Sequence, residues 1–206
     1  MQDRILLKAH ELFMQYGIRS VSMDEIASNL GISKKTIYQY YADKDALVNE
    51  VVDIEINRNE TDCKYQQSVC ENAIHEVFMA FDMVQEMLTT MNPSVLYDLE
   101  KYYPSSFKKF HEHKNKFLFK AIKDNLLKGI NEELYRDDIN TEIITRFRIG
   151  TIFLIFNQEE FPATKYNLSL VLSEITDHFL YGIATQKGAK LIQKYKLQRT
   201  KSTAHE

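Results

Sequence analysis

Three helix starts crowd into the stretch between Ser22 and Lys44, and together they fix what the first quarter of the chain can be. Ser22-Met-Asp-Glu25 has the form of a capping box, in which the Ser22 hydroxyl accepts from the Glu25 amide and the Glu25 carboxylate accepts from the Ser22 amide. It opens a short helix over Ile26, Ala27 and Leu30, and Gly31 supplies the positive φ that ends it. Ser33 caps a second helix from Lys34 to about Tyr41, and Asp43 caps a third from Lys44 to about Asp62. Ala27 is small where the first two helices cross. Ile32 and Ile37 anchor the second helix on Ile26, Leu30 and whatever precedes them, which is helix-turn-helix geometry.

What precedes them is another helix. Ile5, Leu6, Ala9, Leu12, Phe13 and Tyr16 recur at helical spacing, Gly17 stops the run, and Ile18 folds back on Phe13. Downstream, helices are predicted over about 67–91, 94–102, 105–128, 141–157 and 165–185, punctuated by Pro93, Pro104, Gly129 and Pro162. Only 3 prolines and 6 glycines occur in 206 residues and alternating strand patterns are missing, so the fold class is all-α, with about nine helices. The basic tail carries Lys187, Lys190, Lys194, Lys196, Arg199 and Lys201 with no acid before Glu206. Its two readings are a solvated, frayed end and a contact to DNA phosphate.

Charge narrows the function. Lys and Arg number 26 against 29 Asp and Glu, a net charge of -3, so any attraction to nucleic acid must come from a local patch. Such a patch exists at the turn. In a helix-turn-helix the N-terminal residues of the second helix meet base edges in the major groove, and neighbouring helix ends hold phosphates. Lys34, Lys35 and Thr36 fall at that N-terminus, Gln39 suits adenine, and the hydroxyls of Tyr38 and Tyr40 suit backbone oxygens. Lys44 opens the next helix, where free amides already favour an anion, and Ser22 stands similarly at the first. Tyr41 shares a face with Ile37 and is predicted to be core.

Other classes fall away. No long apolar run or leader pattern is present, so neither a membrane span nor a signal peptide is expected, and a cytoplasmic location follows. Cys63 and Cys70 lie about two helical turns apart, too far for a bridge between them, and are expected as free thiols. No Ser/His/Asp order, phosphate loop, metal signature or acid pair is found, so no enzyme, cofactor or metal is predicted. His111 and His113 diverge on their helix and are expected to be structural or solvent-facing.

Residues 9–52, AHELFMQYGIRSVSMDEIASNLGISKKTIYQYYADKDALVNEVV, resemble the N-terminal domain of the TetR/AcrR family of bacterial transcriptional regulators. The likeness rests on the aromatic-x-x-x-Gly end of the first helix, the Ile-Ala of the second, the Gly-Ile-Ser turn, Thr-Ile-Tyr-x-Tyr-Tyr, and Lys44 followed by Leu47. It implies DNA contacts by Lys34, Lys35, Thr36, Tyr38, Gln39, Tyr40 and Lys44. Lys35 departs from the family pattern, where glycine is common, adding reach and charge. A head of residues 1–48 and a ligand-binding and dimerisation body of 49–206 are expected.

The body's central helix, CENAIHEVFMAFDMVQEMLTTM, is apolar nearly all round, with Met79, Met83, Met87 and Met91 every four residues. It is either plain core or a repackable pocket wall. The resemblance implies a small, largely apolar or aromatic ligand lined by Phe78, Phe81, Met83, Met87, Tyr97, Tyr102, Tyr103, Phe107, Phe110, Phe117 and Phe147. It also implies a homodimer through the last two helices, using Ile144, Phe147, Thr151, Leu154, Ile155, Leu168, Val171, Leu172, Ile175, Phe179 and Ile183. A homodimeric repressor released from a palindromic double-stranded DNA operator, without a membrane partner, is the leading expectation. The alternative is a DNA-binding regulator controlled by a protein partner or by thiol oxidation.

Overall fold

The computed structural model describes residues 1–203, with side chains up to Arg199; Lys201 and Glu206 of the basic tail lie outside the described side chains. Every named element among the described residues is helical. Helix α1 (Gln2–Tyr16) buries Ile5, Leu6, Ala9, Leu12 and Phe13. Gly17 ends it at φ 85°, and a Cβ there would lie 2.4 Å from the Ser94 hydroxyl, so glycine serves both the turn and a close approach. The next three helices are α2 (Met23–Leu30), α3 (Lys34–Tyr38) and α4 (Lys44–Val69). Helix α3 is shorter than its sequence suggests, because Tyr40 and Tyr41 both donate to the Ile37 carbonyl and close it in a turn.

Then come α5 (Ala73–Thr90), α6 (Ser94–Tyr102) and α7 (Pro104–His113). The helix expected over 105–128 is interrupted: a π-helical turn at Lys114–Leu118 separates α7 from α8 (Phe119–Asn131). Gly129 is not a stop. It lies inside α8, where the Tyr135 ring packs on its bare Cα, and the chain turns instead at Glu133, φ 59°. Helices α9 (Thr141–Leu154), α10 (Leu168–Ile183) and α11 (Gln186–Thr203) complete the chain.

As far as Thr203 the tail is therefore helical, not frayed. Ile192 and Tyr195 of α11 are buried, Lys196 pairs with Asp177, and Arg199 pairs with Asp82. Its basic side chains neutralise the body's own acids, which leaves less for phosphate.

Two compact units result. One comprises Met1–Thr61 with Glu86–Asn115, so α6 and α7 pack with the N-terminal helices; the other comprises Asp62–Gln85 and the chain from Lys116 on. The core of the second gathers Ile74, Val77 and Phe78 with Leu126, Tyr135, Phe179, Leu180 and Ile192. A single antiparallel bridge, Tyr135 to Ala184, clamps the turn after α8 onto the end of α10. No described helix is long and apolar enough to cross a membrane.

Candidate nucleic-acid interface

The turn is built as its residues dictate. Ser22 and Glu25 form both halves of the capping box, at 3.2 and 2.6 Å. Gly31 is left-handed (φ 66°, ψ 31°), and the Ile32 amide returns to the Ala27 carbonyl at 3.0 Å. The Ser33 hydroxyl accepts from the Thr36 amide at 3.1 Å, and Asp43 accepts from the Ala46 amide at 2.7 Å. Each such cap is worth about 1 kcal/mol. Ile37 is fully buried and pins α3, while Tyr41 is buried and its hydroxyl is pushed up to about 12 by burial first and Glu50 next.

That anchoring throws the remaining α3 side chains outward. Lys34, Lys35 and Gln39 are exposed, Tyr38 and Tyr40 are 45% and 44% exposed, and Thr36 is half-buried with its hydroxyl 2.9 Å from that of Ser33. The structure brings these six together on α3 and the turn that closes it. Lys34 is already engaged: its ammonium donates to Asp24 at 2.7 Å, a bond that raises its pKa. Lys35 makes no ion pair among the described residues and is the open cation of the group.

Lys44 also makes a contact within the head. Its half-buried ammonium donates to the Ile18 carbonyl at 2.6 Å and lies over the rings of Phe13 and Tyr103; burial lowers its pKa, with Asp98 the main opposing influence. One of the amides at this helix start, that of Ala46, is capped by Asp43. Lys44 thus ties the turn after α1 to the start of α4, a role invisible without the tertiary contact.

The residues proposed for a ligand do not form one set. Phe78, Phe81, Met83, Phe117 and Phe147 belong to the second unit, whereas Met87, Tyr97, Tyr102, Tyr103, Phe107 and Phe110 belong to the first. Tyr103 is buried beside Lys44, and the Tyr102 hydroxyl accepts from Arg19 at 2.7 Å, so both serve the N-terminal unit. Phe78 is core, and Arg199 lies 4.9 Å over the ring of Phe81. His113 is buried with its Nε2 3.0 Å from the side-chain oxygen of Asn59, and His111 is exposed.

The interface residues also divide. Ile155, Leu172, Phe179 and Ile183 are buried within the single chain and serve its own core, while Ile144, Thr151, Leu168, Val171 and Ile175 are half-buried. Phe147 and Leu154 are exposed, and with them stand two residues the sequence reading missed, Ile143 (62% exposed) and Leu170 (60%). Their signal was present: Ile143, Phe147, Gly150 and Leu154 follow one another at helical spacing on α9.

Comparison with known proteins agrees with this geometry. Residues 5–51 match the family described as bacterial regulatory proteins, tetR family. The chain is 28% identical over 193 residues to the HTH-type transcriptional regulator YvaF of Bacillus subtilis, covering 92% of this chain and 98% of that one. It is 27% identical over 157 residues to the HTH-type transcriptional repressor KstR2 of Mycobacterium tuberculosis, covering 71% and 74% of the two chains. Among solved structures, FadR of Bacillus subtilis in complex with stearoyl-CoA superposes with a TM-score of 0.67 at 15% identity, covering 89% of this chain and 100% of that one. The capped turn, the outward face of α3 and these likenesses converge: residues 5–51 form a helix-turn-helix head of the tetR family, and the chain as a whole is similar to DNA-binding transcriptional regulators of that family.

Proposed function

We propose that the protein is a homodimeric repressor in which residues 1–48 read a palindromic operator and residues 49–206 hold the effector site and the dimer surface. The observation that carries this reading is the outward array on α3 and the turn after it, where Lys35, Tyr38, Gln39 and Tyr40 stand exposed while Ile37 is fully buried. Lys35 and Gln39 read bases, with Thr36 beside them; Tyr38, Tyr40 and Lys34 take phosphates, Lys34 by exchanging Asp24 for a backbone oxygen. Ser22 keeps a hydroxyl hydrogen for a phosphate, and Lys44 positions the turn. The cytoplasm is where such a protein meets its DNA.

The dimer reading is supported by the exposed stripe of Ile143, Phe147 and Leu154 on α9 and by Leu170 and Tyr181 on α10. A self-complementary patch of this kind generates two-fold symmetry and so two heads on one DNA face. A largely apolar effector binding the body in one of two states would change the spacing of the heads and release the operator. The repressor name of KstR2 and the stearoyl-CoA held by FadR support that mechanism by likeness.

A gel shift at controlled salt on the DNA upstream of the protein's own gene tests the reading. Retarded DNA at the length of a two-fold site is expected, and no shift at any salt overturns it. Two variants refine it. Lys35→Ala should lower affinity unequally across operator variants, whereas Lys34→Ala should lower it evenly and reduce the salt slope by about one. Equal losses on all sequences from both variants would remove Lys35 from base readout.

A second reading, control by thiol oxidation, has one observation in its favour. The Cys70 sulfur lies 3.0 Å from the Lys128 ammonium, the kind of neighbour a reactive thiol requires, although Glu76 also reaches that lysine at 3.4 Å. Under it, hydroperoxide should abolish DNA binding by the wild type and spare Cys70→Ser. Equal sensitivity of the two proteins discards it.

A further inference from the structure

The second unit encloses a cation that no described residue neutralises. Arg148, on α9, is only 5% exposed. No carboxylate pairs with it among the described residues. Its one hydrogen bond is a long one, from NH2 to the Thr176 hydroxyl on α10 at 3.4 Å, and its NH1 is buried without a partner. One face of the guanidinium lies 4.6 Å over the Phe179 ring.

The surroundings are polar in one place only. The buried polar residues of this unit are Asn125, Thr145, Arg148 and Thr176, with the fully enclosed Tyr135 beside them. Most of that polarity is already spent. Tyr135 donates to Asn125 at 3.3 Å, Asn125 donates to the Ala73 carbonyl at 2.9 Å, and Thr145 donates to the Thr141 carbonyl at 2.7 Å. Arg148 is left with a terminal nitrogen that donates to nothing. An uncompensated buried charge is among the costliest features a core can carry, and cores dispense with it unless an anion completes it. Burial bears this out by depressing the guanidinium to about 10, with only Tyr135 opposing.

We propose that Arg148 is the anchor for the carboxylate of the effector, and that the effector is an apolar carboxylic acid. A planar guanidinium with free N–H donors matches a carboxylate in shape as well as charge. Phe179 lies against the guanidinium, and Ile149 and Leu172 are buried on the same two helices, α9 and α10, an apolar setting that suits the remainder of such an acid. The inference rests on the ligand-responsive reading above and adds to it the headgroup and the residue that selects it.

The test uses the full-length protein and matched pairs: hexanoate, decanoate, benzoate and phenylacetate, each against its neutral amide, at constant ionic strength. At least one acid should raise the melting temperature and release DNA, binding about tenfold or more tighter than its amide. Arg148→Met should lose that preference while the ligand-free protein melts at the same temperature or higher, because an apolar stem replaces an unpaired charge. If Arg148→Met does not fold, Arg148 is a structural residue and the proposal falls. Independently of any variant, acids that act no better than their amides on the wild type overturn it. Amides that release DNA as well as acids would sink the carboxylate anchor while leaving a ligand-responsive regulator standing. Failure of the ligand-free protein to bind DNA would instead sink the regulator reading.

Discussion

Ile37→Ala is expected to abolish specific DNA binding, although its side chain is fully buried and never meets a base. Helix α3 has five residues, far below the length at which a helix holds itself together in water. The Ser33 cap contributes about 1 kcal/mol, which does not offset the cost of ordering the segment. What holds α3 is the burial of Ile37 against the core of the first unit, and truncating it should cost about 2–5 kcal/mol. The loss should appear first as faster amide exchange at Thr36, Tyr40 and Tyr41, whose hydrogen bonds close the helix. A gel shift would then show lost affinity with a lowered melting temperature, in contrast to Lys35→Ala, which should lose affinity with its melting temperature intact. Unchanged operator affinity in Ile37→Ala would mean that α3 is ordered by something other than this contact.

Gly129→Ala should destabilise the second unit markedly. In an exposed helix the same change stabilises by about 1 kcal/mol. Here the new Cβ would lie 2.0 Å from Cδ2 and 2.2 Å from Cε2 of Tyr135. The ring cannot step aside cheaply, since its hydroxyl is bonded to Asn125 and the amides of Leu134 and Tyr135 both bond the Gly129 carbonyl. Overpacking of this kind costs about 1–3 kcal/mol or more, which outweighs the gain in propensity. Chemical denaturation measures it, and adding Tyr135→Leu should return part of the loss. A double-mutant cycle with no coupling between the two positions would show that the contact carries no strain.

Legibility followed sequence separation. The capping box at Ser22, the left-handed Gly31, the caps at Ser33 and Asp43 and the burial of Ile37 and Tyr41 are all local, and each could be read from a few adjacent residues. Gly129 misled because a glycine near the end of an apolar run marks a helix stop locally, whereas its reason here is Tyr135 packing back on it. The bond from Lys44 to the Ile18 carbonyl could not be read locally, because the two lie 26 positions apart. Lys128 beside Cys70 and Arg148 beside Thr176 and Phe179 were hidden for the same reason. The body's apolar positions were recognisable as apolar, but helical periodicity cannot say whether Leu172 and Phe179 face their own core or a second chain. Only the packing of α10 on its neighbours decides that.

The pairing of Lys34 with Asp24 bears on how such a protein searches a chromosome. Contact with arbitrary DNA is almost wholly a matter of phosphates displacing small ions from lysine and arginine. Here the overall charge is -3, Lys44 is committed to a carbonyl and Lys34 already holds an anion of the protein's own. A random stretch of duplex must therefore compete with Asp24 for a cation and gains no base contacts in return. Encounters with wrong sequences are expected to be briefer than they would be with Asp24 removed, and Asp24→Asn should raise affinity for arbitrary duplex. Discrimination then comes from weakening the vast excess of wrong sites as much as from strengthening the right one.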